Sequence, residues 1–192
     1  MSVFRNLLFT TKIKISNKLP SEFQEVEYIQ NRRAYRDSQY IDAGLDSNYD
    51  FSFEFELVSF DQVNVWIFGI DLMNGGYELG MDTRDHFYKH SSMTVVPSVP
   101  TTGQRYICNT TAVKLSTKKT VYIFTRNWPG EHYAAHMKLF NFVAKKEDKI
   151  VKKLVPCYRI ADKKPGLYDV INHEFLTNIS GTTDDFIVGP KV

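Results

Sequence analysis

The sequence predicts an all-β fold, a two-sheet antiparallel sandwich of jelly-roll type. The 192 residues include 14 Phe and 11 Tyr, and aromatic side chains suit pleated, half-buried strands. Roughly a dozen short apolar or alternating segments are separated by turn residues, as in sandwiches and jelly rolls. Only residues 134–143 are long and periodic enough to be considered as a helix.

The first half of the chain contains the clearest strand. In residues 50–60, an apolar set alternates with a polar one that includes Ser52, Glu54 and Glu56, so the two sets point to opposite faces. Residues 25–30 and 39–42 are predicted strands before it. Residues 63–70 predict a more fully buried strand, and the turn at 74–76 precedes a strand at 77–81.

The second half continues in the same way. Residues 105–109, 112–115 and 120–125 predict three strands, followed by a turn at 127–130. Residues 134–142 could form a helix or a strand, but the spacing of Met137, Leu139, Phe140 and Phe142 favours a strand. Residues 150–160, 167–170, 174–176 and 186–188 predict the closing strands.

The predicted domain spans residues 20–192 and follows an N-terminal arm, residues 1–19. The arm combines an apolar cluster with an alternating stretch, residues 11–15, and ends at Leu19–Pro20–Ser21. We expect it to lie outside the main fold and to dock on a partner. The residues expected to anchor it are Phe4, Leu7, Leu8, Phe9, Ile13 and Ile15.

The charge balance argues against a nucleic-acid partner. The chain has 24 basic and 22 acidic residues, a formal net charge of +2, so it has no strongly basic overall field. Local lysines concentrate at 145–153, where a solvated hairpin or strand edge is the first interpretation and an anionic partner the alternative.

The sequence also argues against membrane insertion and secretion. No apolar run approaches the roughly 20 residues of a membrane span, and the first residues do not read as a secretory signal. Cys108 and Cys157 lie in apolar segments and are predicted to be buried free thiols. We therefore expect synthesis in a reducing cytoplasm.

No catalytic residue, metal ligand or cofactor is predicted. Glu54 and Glu56 share a strand face, as glycosidase carboxylates can, but the acidic ExDxxE triple is absent, so a solvated face is expected. His132 and His136 are four apart, a metal spacing only on a helix. The aspartates at 37, 42, 46 and 50 match no calcium-loop spacing, so turn roles are expected.

Aromatic residues beside polar turns are the better binding candidates, because aromatic faces stack on sugar rings and partner side chains. Core packing is the alternative for each of them. Trp128, just before Pro129–Gly130, is the first choice for mutation. The predicted glycan- or partner-binding residues are Tyr35, Tyr77, Phe87, Tyr88, Trp128 and Tyr133.

Two blocks bracket the domain and carry a family resemblance. The opening block has Leu19–Pro20–Ser21, Val26–Glu27–Tyr28–Ile29, Gln39–Tyr40–Ile41–Asp42 and Gly44. The closing block has Leu154–Val155–Pro156–Cys157, Arg159, Lys164–Pro165–Gly166–Leu167–Tyr168–Asp169, Phe175, Thr177–Asn178 and Phe186–Ile187–Val188–Gly189–Pro190. Together with Tyr122–Ile123–Phe124 and Asn127, they resemble the concanavalin A-like (laminin-G-like) jelly-roll domains of tailed phages and gut-bacterial prophages.

The resemblance, over residues 20–190, implies a structural protein of a tailed-phage virion, such as a head fibre, capsid decoration or tail-fibre component. The arm would anchor it to other virion proteins, and self-association into a homo-oligomer is expected. The alternative is a carbohydrate-binding adhesin for host surface glycans, and a glycoside hydrolase is a weaker third. Within the closing block, Lys164–Pro165–Gly166 predicts a turn with Gly166 at positive φ, and Gly189–Pro190 should end the last strand.

Overall fold

The structure is a computed structural model. It describes residues 18–34, 36, 38–59, 65–70, 77–81, 87–89, 93–96, 101–115, 119–128 and 132–192, with only the backbone described at 81, 87–89 and 93–96. All six predicted anchoring residues of the arm lie outside the described residues, as do Tyr35 and Asp37.

The described residues form fifteen strands and no helix, so the all-β prediction is confirmed. The strands are β1 (Phe23–Glu25), β2 (Ile29–Gln30), β3 (Ile41–Asp42), β4 (Asp50–Leu57), β5 (Val65–Ile70), β6 (Tyr77–Met81), β7 (Phe87–Lys89), β8 (Met93–Val96), β9 (Arg105–Thr110), β10 (Tyr122–Ile123), β11 (Met137–Lys146), β12 (Lys149–Arg159), β13 (Pro165–Asp169), β14 (Glu174–Leu176) and β15 (Ile187–Val188).

These strands build two sheets. The ten-stranded sheet runs β14-β13-β12-β11-β4-β9-β8, with β1 on β12, β2 on β11 and β15 on β2. The five-stranded sheet runs β3-β10-β5-β6-β7. Every pairing between the strands is antiparallel. Both sheets contribute to one buried core, as in a β-sandwich, so the prediction of two antiparallel sheets is confirmed.

Phenylalanine rings join the two sheets. Phe51 and Phe53 of β4 are buried on the inner face, as the alternation predicted. Their ring centroids lie 5.2 and 5.0 Å from that of Phe68 in β5, and Phe142 of β11 lies 5.9 Å from both Phe53 and Phe68. Such ring pairs contribute about 0.5–1.5 kcal/mol each beyond burial of their area.

Two sequence interpretations are decided by backbone hydrogen bonds. The strand predicted at 112–115 is absent, because the Ala112 amide donates to the Asp50 carboxylate at 2.6 Å and Val113 donates to the Ser47 carbonyl at 2.7 Å. These two amides are therefore unable to pair with a neighbouring strand. Residues 137–146 form β11, so the strand interpretation of this segment is confirmed and the helical one is wrong.

The predicted turn at Lys164–Pro165–Gly166 is wrong in detail. Gly166 lies inside β13, and positive φ occurs at Lys163 instead, with φ 59°. Gly166 is needed for close approach, because an added Cβ would lie 2.3 Å from the Leu176 carbonyl oxygen of β14. The last strand ends just before Gly189–Pro190, as predicted.

The opening and closing blocks pair with each other. Residues 25–30 and 187–192 keep one antiparallel register throughout, with Ile187 opposite Gln30, Val188 opposite Ile29 and Lys191 opposite Val26. The Gly189 amide also donates to the Tyr28 carbonyl at 2.8 Å. Part of each block that carries the family resemblance thus belongs to one antiparallel ribbon.

Both cysteines are free and buried, as predicted. The lysine-rich segment is the β11–β12 hairpin, and Lys145, Lys146 and Lys149 are exposed on it, which confirms the solvated-hairpin interpretation there. Lys152 does not fit the solvated-hairpin interpretation, because its side chain is buried. Its Nζ lies 3.6 Å from carboxylate oxygens of both Asp169 and Glu174.

Replacing Phe53 by Ala tests the role of the ring contacts between the sheets. We expect the free energy of unfolding in urea to fall by about 3–5 kcal/mol, the usual loss for a buried Phe. The matched control is Ile107→Ala on β9, where the side chain is 49% exposed and the expected change is about 0.5 kcal/mol or less. Equal losses in both variants would contradict this assignment of the core.

Candidate functional site

The structure separates the predicted aromatic binding residues. Trp128 and Tyr133 are half-buried. Tyr77 is fully buried in the core, with ring centroids of Phe51 and Phe68 6.3 and 6.1 Å away, so its prediction as a binding residue is wrong. Burial raises the pKa of the Tyr77 phenol well above its usual range. The side chains of Phe87 and Tyr88, like Tyr35, lie outside the described residues.

Trp128 belongs to a group that we name the outer aromatic cluster, on the face of the five-stranded sheet that points away from the core. Trp66 also belongs to this cluster, and strand register explains its position. Trp66 pairs with Gly80 of β6, and a bulge follows it, so that Ile67 and Phe68 both enter the core while Trp66 points outward. The cluster consists of Tyr40, Trp66, Glu78, Tyr122, Arg126, Trp128 and His132.

Two glycines make room on this face. A Cβ at Gly80 would lie 2.4 Å from an atom of the Trp66 ring, so the indole rests directly on the backbone of β6. Gly69 of β5 lies between Tyr122 of β10 and Glu78 of β6 in the register. Its φ of 135° and a backbone oxygen 2.2 Å from an added Cβ exclude a side chain. The outer face therefore has a backbone floor beneath its aromatic side chains.

Arg126 lies at the centre of the cluster. Its guanidinium carbon is 3.9 Å from the centroid of the Trp66 ring and 5.3 Å from that of Trp128, both within cation–π range. Its Nη1 is 3.3 Å from Oε2 of Glu78. The two charged side chains are only 14% and 10% exposed, so each needs the other to offset the cost of desolvation.

A second stack of rings adjoins Arg126. The His132 ring centroid lies 4.6 Å from that of Tyr40 and 5.7 Å from that of Tyr122, and the two tyrosines stack at 5.1 Å. His132 Nδ1 is 3.3 Å from the Arg126 carbonyl oxygen, which links the two halves. Burial raises the pKa of Tyr40, and the neighbouring Tyr122 raises it further. Burial also raises the pKa of Tyr122, and the Asp42 carboxylate adds to that effect. Both phenols therefore remain protonated donors at neutral pH.

The cluster presents flat apolar rings beside a few hydrogen-bonding groups. Trp128, Tyr122 and His132 are half-buried, so part of each ring is accessible. Tyr133 flanks the cluster, with the Arg36 guanidinium 5.6 Å from its ring centroid and Nη2 donating to its hydroxyl at 3.3 Å. The Arg126 charge is already balanced by Glu78. Such a surface can stack on an uncharged ring and hydrogen-bond to its substituents.

Glu54 and Glu56 lie on the outer face of the other sheet, where both are engaged in ion pairs. Glu56 lies 2.6 Å from Nζ of Lys138. Glu54 accepts a hydrogen bond from Asn141 at 2.9 Å and lies 3.6 Å from Arg105. The expected solvated face is thus a network of paired charges, and each carboxylate already has a cationic partner.

The histidine and aspartate series have structural partners. Residues 132–136 are not helical, and the ring nitrogens of His136 lie 3.2 Å from the Gln30 amide and 3.1 Å from the Ser59 hydroxyl. Asp42 and Asp46 accept hydrogen bonds from the backbone amides two residues later, as expected for turn roles, whereas Asp50 accepts from the amide of Ala112, which is distant in sequence. Among the residues that the structure describes, no group of three or more His, Cys, Asp or Glu is arranged to hold a metal ion.

Sequence reasoning missed most of the cluster. Trp66 sits in the apolar run 65–70, which predicts burial, and it is only 9% exposed, but the bulge turns it to the face opposite the inter-sheet core. Arg126 and Glu78 are far apart in sequence and meet through strand pairing. Gly69 and Gly80 inside predicted strands were the available signal, because a glycine in a strand often marks a bulge or a close approach.

The described part of the chain has no helix with the length and apolar character needed to cross a bilayer.

Replacing Arg126 by Ala should destabilise the domain, because Glu78 would be left nearly buried without its cation. We expect a loss of about 3 kcal/mol in urea unfolding. The matched control is Arg159→Ala, which removes an exposed pair with Asp162 and should cost far less, because solvent screens exposed charges. A loss at Arg126 no larger than at Arg159 would show that the cluster is not held by this pair.

Comparison with known proteins does not place the chain in a family. No protein-family model matches the chain, and neither a curated protein nor a solved structure gives a significant match. The fold and the geometry of the outer aromatic cluster are therefore the observations that bear on function.

Proposed function

We propose that this chain is a non-catalytic, carbohydrate-binding surface protein of a tailed-phage virion, built on a concanavalin A-like jelly roll. The outer aromatic cluster would hold a sugar of the host surface. The observation that carries the proposal is the stack of Trp66, Arg126 and Trp128 on the outward face of the five-stranded sheet. Trp66 and Tyr40 are each only 9% exposed, so the part of the cluster that a ligand could reach is formed by the half-buried rings of Tyr122, Trp128 and His132.

The composition of the cluster favours an uncharged sugar. Sugar rings have apolar faces that stack on aromatic side chains, and hydroxyl groups that need donors and acceptors. The cluster offers the half-exposed ring of Trp128, protonated phenols at Tyr40 and Tyr122, and an imidazole at His132. Because Glu78 balances Arg126, an anionic ligand would gain little from this site.

The stability of the cluster also suits recognition. Arg126 is fixed by two rings and one carboxylate, and His132 by two tyrosine rings. Side chains held in this way lose little conformational entropy when a ligand binds, and pre-organisation of this kind improves affinity. The geometry thus supports a binding surface that exists before the ligand arrives.

The virion setting rests on the family resemblance of the opening and closing blocks. Their pairing as residues 25–30 and 187–192 supports treating them as one unit. In this setting the arm, residues 1–19, anchors the chain to other virion proteins, the sandwich projects outward, and the protein forms a homo-oligomer. Repetition of one weak sugar site around an oligomer would raise avidity through effective concentration.

Sugar binding is tested by comparing the wild-type chain with Trp128→Ala on an array of host surface glycans. We expect the wild type to bind a subset of neutral glycans, and the variant to lose at least about tenfold in affinity, equal to 1.4 kcal/mol. The control is Tyr28→Ala, which removes a half-buried ring from the other sheet and should leave glycan binding unchanged. No wild-type binding, or full binding by Trp128→Ala, would refute the sugar site.

Anchoring is tested by removing residues 1–19 and measuring co-sedimentation with phage particles. The truncated chain should keep its β-sheet circular dichroism and lose association with the particle. Undiminished association would show that the arm is not the anchor.

A further inference from the structure

A groove opens on the outer face of the ten-stranded sheet, where β11 and β12 diverge. These strands pair with each other only from Phe142 and Leu154 towards the hairpin turn. Beyond that point β11 pairs with β2, and β12 pairs with β1. The single segment 23–30 therefore spans the gap between the separated strands, and a cavity of about 230 Å³ lies at this junction.

The sequence explains why the strands separate here. Pro156 has no amide hydrogen, so β12 cannot donate a ladder hydrogen bond towards β11 at this residue, although it stays paired with β13 on its other edge. Its carbonyl oxygen instead accepts from the Val26 amide at 3.0 Å. On β11 the register to β4 shifts between Leu139 and Asn141, which makes Phe140 a bulge residue. The groove is thus a consequence of backbone chemistry on both strands.

One end of the groove is closed by a paired cation. The Arg105 guanidinium lies 3.8 Å over the centroid of the Phe140 ring and forms ion pairs with Glu27 and with Glu54. The second oxygen of Glu54 accepts from Asn141 at 2.9 Å. Arg105 therefore has two carboxylates as partners, and Glu54 has both oxygens occupied.

The remainder of the groove is acidic and apolar. Glu25 is half-buried, and its carboxylate has no hydrogen bond or ion pair with another residue in the described ranges. Glu27 lies two residues further along the same segment. Val155 and Pro156 are buried and line the groove between these acids and Phe140, and Val192 adds a further apolar wall. A half-buried carboxylate beside apolar walls is poorly solvated and gains from a cationic partner.

We propose that this groove binds a primary ammonium or guanidinium group carried on a short alkyl chain. The cation would pair with Glu25 and with the Glu27 oxygen that does not contact Arg105, and the alkyl chain would lie along Val155 and Pro156. The volume of about 230 Å³ suits such a group. An anion is disfavoured, because it would lie against Glu25 and Glu27 while Arg105 is already paired.

Lys153 also lines the groove and opposes the ligand by its positive charge. Three carboxylates and two cations line the groove, so its net charge remains negative. Exposed charges interact less as salt screens them. Binding of the cation should therefore weaken with rising ionic strength and strengthen when Lys153 is neutralised. This site lies on the other sheet from the outer aromatic cluster and does not depend on it.

The test is NMR titration of the full chain with n-butylammonium, n-butylguanidinium and the neutral n-pentanol, at low salt. We expect both cations to bind with millimolar Kd and to shift the amide signals of 25–27 and 153–156, while n-pentanol binds at least tenfold more weakly. A lysine-containing pentapeptide with blocked ends forms the second arm. Equal or tighter binding of the peptide assigns the cation to a partner protein, and binding of the free amine alone assigns it to a small molecule.

Single substitutions test whether Glu25 and Glu27 bind the cation. Glu25→Gln should weaken cation binding at least fivefold, Glu27→Gln should also weaken it, and Lys153→Gln should strengthen it about twofold, in line with the modest energies of partly exposed charge pairs. Glu22→Gln, an exposed acid outside the groove, is the matched control and should change nothing. The amide spectrum of each variant reports whether it is folded. The proposal would be overturned if neither cation nor the peptide binds, or if n-pentanol binds as tightly as the cations. Undiminished cation binding by folded Glu25→Gln would also overturn it.

Discussion

The contact between the two sheets through phenylalanine rings is the constraint on which the other features depend. Phe51, Phe53 and Phe142 project from the ten-stranded sheet and meet Phe68 of the five-stranded sheet. Because side chains alternate along a strand, fixing these rings inside also fixes which residues of each strand point outward. The positions of Glu54 and Glu56 on one outer face, and of Glu78 on the other, follow from it.

The two outer faces are then used differently. On the ten-stranded sheet, Lys138, Glu56, Arg105 and Glu54 form a network of paired charges, which keeps that face polar. On the five-stranded sheet, Gly69 and Gly80 leave the backbone bare. Large rings and one nearly buried ion pair fill that space. The difference between the faces is why we propose the sugar site on the smaller sheet.

Local patterns predicted much of the fold. The alternation in residues 50–57 gave β4, its inner face and its outer acids correctly, because period-two burial needs no knowledge of distant residues. The segment 112–115 has the same local character, but its amides bond to Asp50 and Ser47. Gly166 was expected in a turn for its conformational freedom, and it is used instead for the close approach of β14. Such outcomes depend on partners that sequence proximity does not reveal.

The candidate site was predictable only in part for the same reason. Trp128 was identified from its neighbouring turn, and Tyr133 from its polar surroundings. Tyr77 had the same surroundings, but strand alternation places it in the core. Trp66 becomes an outward residue through a bulge, and Arg126 meets Glu78 across strands. The groove at the junction of β11, β12 and the segment 23–30 depends on three separate pairings and has no local signature.

The chain has two tryptophans, Trp66 and Trp128, and both belong to the outer aromatic cluster. Intrinsic tryptophan fluorescence therefore reports on this surface alone. The most direct test of the account is a fluorescence titration with neutral host-surface oligosaccharides. If the cluster binds a sugar, we expect a saturable change in emission, accompanied by protection of Trp128 from acrylamide quenching. Unchanged emission and quenching throughout the titration, with a glycan shown independently to bind the chain, would contradict the assignment of the sugar to this cluster.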